Sequence, residues 1–160
     1  MPKKRGWAGD VFLWIAAAAW AAMLFFFSGQ DGAESSALSL KVTEYVMRLF
    51  PSLPFELDQV HIFVRKAAHF CIFALEGFLL GLAMMKTLPE KWLGGTLAVI
   101  SCAVVAVLNE YHQSFSLDRS CEVRDMVIDS CGALLGVLAG ALLLYLIGRI
   151  SRRKRNVIIS

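Results

Sequence analysis

Four stretches of this 160-residue chain are long and apolar enough to cross a bilayer, and they leave it few ways to fold. Val11 to Phe27, Ala67 to Met85, Trp92 to Leu108 and Met126 to Ile147 each approach the roughly 20 apolar residues that a hydrocarbon core demands of a helix. Lipid offers no partner to backbone polar groups, so each stretch must satisfy its own and reads as a helix. A composition that is 58% hydrophobic exceeds what a water-soluble domain of this size carries. The prediction is an all-α membrane protein with four transmembrane helices. It forms one domain over residues 10–148, followed by a basic tail over 149–160.

The first stretch follows Lys3, Lys4 and Arg5, as the core of a secretory signal does. It runs into Phe25-Phe26-Phe27 with no small-residue cleavage site, so it reads as a retained span. Cations set the expected orientation. With four spans, Lys3, Lys4, Arg5, Lys86, Lys91, Arg149, Arg152, Arg153, Lys154 and Arg155 fall on one side, ten of the sixteen in the chain. Cationic flanks are retained in the cytosol, so both termini are expected there and the two longer connections outside. The tail reads as a topology determinant, with the holding of anionic lipid heads as a second use.

The segment from Ser28 to Lys66 is too long for a turn. Leu38, Val42, Tyr45, Val46 and Leu49 recur at helical spacing, with Lys41, Glu44 and Arg48 on other faces. This predicts an amphipathic helix that is interfacial or re-entrant, lying between spans one and two. Pro51 and Pro54 end it, and a further helix is expected from Glu56 or Asp58 straight into the second span. Gly132, Gly136 and Gly140 make a small-residue stripe along the fourth span, suited to close helix packing within the bundle or in a homodimer. Cys71, Cys102 and Cys131 lie in spans and Cys121 in a connection, without metal or redox spacing, and no metal ion or cofactor is expected.

Ionisable residues in or beside the spans are costly and point to function. Arg65, Lys66, His69 and Glu76 run along the second span at increasing depth. Glu110 and Gln113 stand at the end of the third, and Arg124, Asp125 and Asp129 open the fourth. Facing one another is the low-energy arrangement for these stripes, which predicts an outward-facing polar cleft. Arg119 joins it from the connection between spans three and four. Duller readings stand beside these: Arg124 with Asp125 as a solvated pair, Glu76 as a bond between helices, and His112 as an exposed loop histidine.

The pattern Lys66-x-x-His69-Phe70, Glu110-x-x-Gln113-x-Phe115-x-x-x-Arg119 and Asp125-x-x-x-Asp129-x-x-Gly132-x-x-x-Gly136 resembles the VanZ-like membrane proteins. Phe27-Ser28-Gly29-Gln30-Asp31-Gly32, with Ser35, looks like the family's first outer-edge motif. The resemblance implies a four-span protein of the bacterial plasma membrane, in a family whose name-giving member is linked to low-level resistance to teicoplanin-type lipoglycopeptides. The chain departs from the pattern at Arg65, where many relatives carry Asp, and at Asp129, where many carry Asn.

Three functions fit these residues. In the first, the cleft binds an anionic membrane lipid or cell-envelope precursor: Arg65, Lys66, Arg119 and Arg124 meet its oxygens, and Ser28, Gln30 and Gln113 add neutral hydrogen bonds. In the second, a membrane enzyme acts on such a lipid by acid-base chemistry of His69, Glu110, Asp125 or Asp129. No familiar hydrolase motif supports that reading. The third is proton-linked transport through His69 and Glu76. A nucleic-acid partner is not expected.

Overall fold

A computed structural model of the chain describes residues 7–117 and 119–159, with side chains as far as Lys154. Lys3, Lys4, Arg5 and the Arg155 side chain lie outside the described residues. Five helices follow one another: α1 (Trp7–Ser28), α2 (Gly32–Leu49), α3 (Leu57–Thr87), α4 (Lys91–Gln113) and α5 (Val123–Ile159). No strand occurs among the described residues. α1, α3, α4 and α5 up to Lys154 are long and apolar enough to span a membrane. The expected all-α architecture is therefore present, with α2 as the additional helix between spans one and two.

Each helix outruns the apolar block that announced it. α3 begins at Leu57, where the Glu56 backbone N–H donates to Gln59 Oε1 at 3.2 Å and so satisfies a donor beside the open helix end. It then continues without a break into the span, as expected. α5 likewise carries on through the basic tail to Ile159.

α3 is the hub of the bundle. It packs against all four other helices, most extensively α5. Apolar side chains gain little by leaving lipid for one another, so close packing must drive this association. Small residues permit it: Cys102, Ala106 and Ala133 are buried beside Phe73 and Leu24. A Cβ added to Gly132 or Gly136 would overlap the backbone carbonyl of Phe70 or Ala74, and one on Gly77 that of Ala133. Gly140 is looser, with Leu82 and Phe78 atoms 3.5 Å from such a Cβ. The glycine stripe thus packs against α3 of the same chain, one of its two expected uses.

Polar ties fix the remaining helices. Trp20 Nε1 donates to Ile72 O at 3.0 Å, and Lys86 Nζ lies 3.0 Å from Asp10 Oδ1, holding the start of α1 to the end of α3. On α2, fully buried Thr43 donates to Ser39 O at 2.8 Å, while Ser39 Oγ lies 3.1 Å from Nε2 of His61 on α3. Leu38, Val42, Tyr45 and Leu49 of α2 are more than half exposed.

The α3–α5 approach predicts that Gly136→Ala costs about 3 kcal/mol through overpacking. A lowered thermal midpoint in detergent would register it. Gly148→Ala, whose new methyl meets nothing within 4 Å, should leave the midpoint unchanged.

Candidate functional site

Polar residues of three helices meet at the end of the bundle where α4 stops and α5 starts. Glu110 lies one turn from the end of α4, Asp125 and Asp129 occupy the first two turns of α5, and Lys66 and His69 stand one turn apart on α3. Lys66 Nζ donates to Asp125 Oδ1 and lies 3.9 Å from Glu122 Oε2. His69 Nδ1 is 3.5 Å from Asp129 Oδ1. Glu110 Oε2 accepts the backbone N–H of Glu122 at 3.1 Å.

Burial sharpens the chemistry of this cluster. Glu110 is 1% and Asp129 0% exposed, yet Glu110 Oε1 and both Asp129 carboxylate oxygens lack a hydrogen-bond partner among the described residues. Carboxylate oxygens withdrawn from water without partners are costly. Together with His69 these two acids present one donor atom each, all within 4.8 Å of one another.

Beside the cluster lies a cavity of about 620 Å³ between α1, α2, α3 and α4. Leu24, Phe27, Leu38, Val42, Phe63, Ile72 and Phe73 give it apolar walls. Its polar lining includes Ser28, Gln30, Arg65, His69, Asn109, Gln113 and Arg119. Arg119 reaches it from the α4–α5 connection, which is anchored to α2 twice: Arg119 donates to Ser35 Oγ at 2.6 Å, and the Gly32 N–H donates to Leu117 O at 3.0 Å. Burial and then neighbouring Arg65 push the Arg119 pKa down, while Glu110 acts in the opposite sense. A guanidinium nevertheless stays charged at physiological pH, and its Nε has no hydrogen-bond partner among the described residues.

Two predicted site residues stand apart. Glu76 is buried two turns deeper on α3 than His69 and does not line the cavity. Arg124 is exposed and does not line it either. Lys66 and Asp125 form a pair with each other beside the cavity rather than in its wall. His112, expected in a loop, is in the last turn of α4, edge-on to Phe25 and with Nδ1 3.4 Å from Ser28 Oγ. Ser28 Oγ also donates to Asn109 O at 3.3 Å, closing the α1–α4 seam.

Sequence reasoning passed over Glu122, whose contribution is largely a backbone N–H and leaves no compositional mark. It also missed that α2 walls the cavity. The helical spacing of Leu38 and Val42 was visible, but the partner of that face was not.

Four membrane-length helices around this polar end define a multi-pass α-helical membrane protein. The family model described as VanZ/LLP1 matches residues 12–148, from α1 to α5, and the chain belongs to this VanZ-like family. No curated protein and no solved structure gives a significant match.

A double-mutant cycle over Lys66→Met and Asp125→Asn, read by thermal unfolding in detergent, is expected to show coupling of about 1 kcal/mol. That is the scale of a charge-assisted hydrogen bond between groups still partly in contact with solvent.

Proposed function

We propose that the cavity binds an anionic amphiphile, a membrane lipid or lipid-linked envelope precursor, at the outer face of a bacterial plasma membrane. The observation that carries this reading is a cavity of about 620 Å³ with largely apolar walls and two guanidinium-bearing residues, Arg65 and Arg119, in its lining. Apolar walls suit acyl or prenyl chains. Guanidinium groups offer paired donors to phosphate or carboxylate oxygens, and Gln30, Gln113 and Ser28 supply neutral hydrogen bonds. Cation over cation is unfavourable until an anion enters between them, and the Arg119 Nε–H supplies a donor for it.

The outward orientation is supported by the opposite end of the bundle. Lys86 and Lys91 flank the α3–α4 turn, and Arg149, Arg152, Arg153 and Lys154 follow the span of α5, a cationic collar of the kind retained in the cytosol. A role in tolerance of teicoplanin-type lipoglycopeptides follows on this reading if the bound amphiphile belongs to the cell envelope.

Arg119→Ala and Arg65→Ala should each weaken binding of phosphatidylglycerol in mixed micelles roughly ten- to a hundredfold, the scale of one charged hydrogen bond. Phosphatidylcholine should compete poorly in the same titration. Unchanged phosphatidylglycerol affinity in both variants would sink the reading. Orientation is checked separately through the exposed native thiol of Cys121. A membrane-impermeant maleimide should label it in intact bacterial cells, and Cys121→Ser should remove the label.

A further inference from the structure

We infer that His69, Glu110 and Asp129 form a binding site for one divalent transition-metal ion of the manganese or zinc class. These residues come from three different helices, α3, α4 and α5, and each turns one donor atom toward the other two, all within 4.8 Å. Ligands about 2.0–2.2 Å from a common ion in tetrahedral array stand about 3.3–3.6 Å apart, so the widest of these separations must close by about an ångström to complete the set. One imidazole and two carboxylates are the donors that manganese and zinc share.

Charge makes the same case independently. Glu110 and Asp129 are enclosed, with three carboxylate oxygens that find no hydrogen-bond partner among the described residues. The nearest ammonium, on Lys66, is already engaged by Asp125 and Glu122, and the Arg119 guanidinium, which also attracts Glu110, is bonded to Ser35 Oγ. A protonated His69 could neutralise only one of the two acids, and at 3.5 Å its Nδ1 stands beyond a strong hydrogen bond to Asp129. A divalent cation offsets both carboxylates at once and takes up the orphaned oxygens as ligands. The N–H of Glu122 on Glu110 Oε2 fixes that carboxylate from behind, as groups bonded to metal ligands commonly do.

Three protein ligands leave coordination positions for other donors. His69 belongs both to this cluster and to the lining of the cavity, so the open side adjoins the cavity and would accept water or an oxyanion entering from it. Metal binding itself does not depend on the amphiphile reading.

The experiment uses the full chain, stripped with EDTA and held in neutral detergent without added lipid. Free Mn²⁺ is followed by electron paramagnetic resonance, and Zn²⁺ by competition with a chromogenic chelator. One saturable site per chain is expected for at least one of the two ions, together with a rise in thermal midpoint when that ion is added. Glu110→Gln, Asp129→Asn and His69→Gln should each weaken binding at least tenfold, whereas Glu44→Gln, at an exposed position on α2, should not. Should a buried-acid variant fail to fold, His69→Gln at the partly exposed member carries the comparison. Absence of saturable binding of both ions, or undiminished binding in the folded triad variants, would overturn the inference. Either result leaves the separate phosphatidylglycerol titration free to succeed or fail.

Discussion

The near-contact of the α3 and α5 backbones sets the register on which every other feature of this protein depends. The two helices run in the same direction, and Phe70 meets Gly132, Ala74 meets Gly136 and Phe78 meets Gly140, a repeat of four residues on each. Side chains one and two turns before Gly132 on α5 therefore face those near and before Phe70 on α3. That geometry sets Asp129 against His69 and Asp125 against Lys66. A slip of one residue on either helix would rotate these groups by about 100° and turn them toward lipid or toward other neighbours. The glycines thus place the chemistry of the site without contributing any.

Two polar regions with different energetic character share the resulting end of the bundle. Lys66 and Asp125 neutralise each other and keep some contact with water. Glu110 and Asp129 lie below them, enclosed and under-coordinated. The cavity is biased the other way, since the charged groups in its lining are cationic and its walls are apolar. A cavity lined by cationic and apolar groups beside a cluster of buried acids, joined through His69, is a different arrangement from a uniformly polar channel. The depth of Glu76 alone does not make one, because Glu76 shares no wall with the cavity.

Much of this was legible in the sequence because lipid restricts the alternatives so severely. Apolar length gave the four spans, and helical spacing gave α2 and its end before Pro51. The cost of charge in hydrocarbon marked His69, Glu110, Asp125 and Asp129 as inward-facing before their neighbours were known. What stayed hidden depended on distances between segments. Periodicity cannot say that α2 folds over the gap between α1 and α3, so Ser35, Leu38 and Val42 were not recognised as cavity wall. It cannot reveal that a backbone N–H at Glu122 serves Glu110. Nor can a stretch with no paired histidines or cysteines announce a three-helix donor set, since His69, Glu110 and Asp129 are far apart in the chain and ordinary one by one. Arg124 is exposed for the complementary reason: its neighbour Asp125 points inward, and adjacent residues on a helix diverge by about 100°.

The same contrast explains how the site divides rigidity from adaptability. The cluster stands on α3, the first two turns of α5 and the last turn of α4, beside the stretch where the α3 and α5 backbones lie too close to move independently. The cavity has α2 and the α4–α5 connection on its open flank, secured to the bundle by a few polar contacts such as Ser39 with His61 and Arg119 with Ser35. Segments held this way open at lower free energy than tightly packed core helices. An amphiphile entering beside α2 would therefore disturb Arg119 and its hydroxyl partner first and leave His69, Glu110 and Asp129 in place. On the proposed reading, recognition of a variable chain is thereby separated from the fixed geometry that a headgroup or an ion requires.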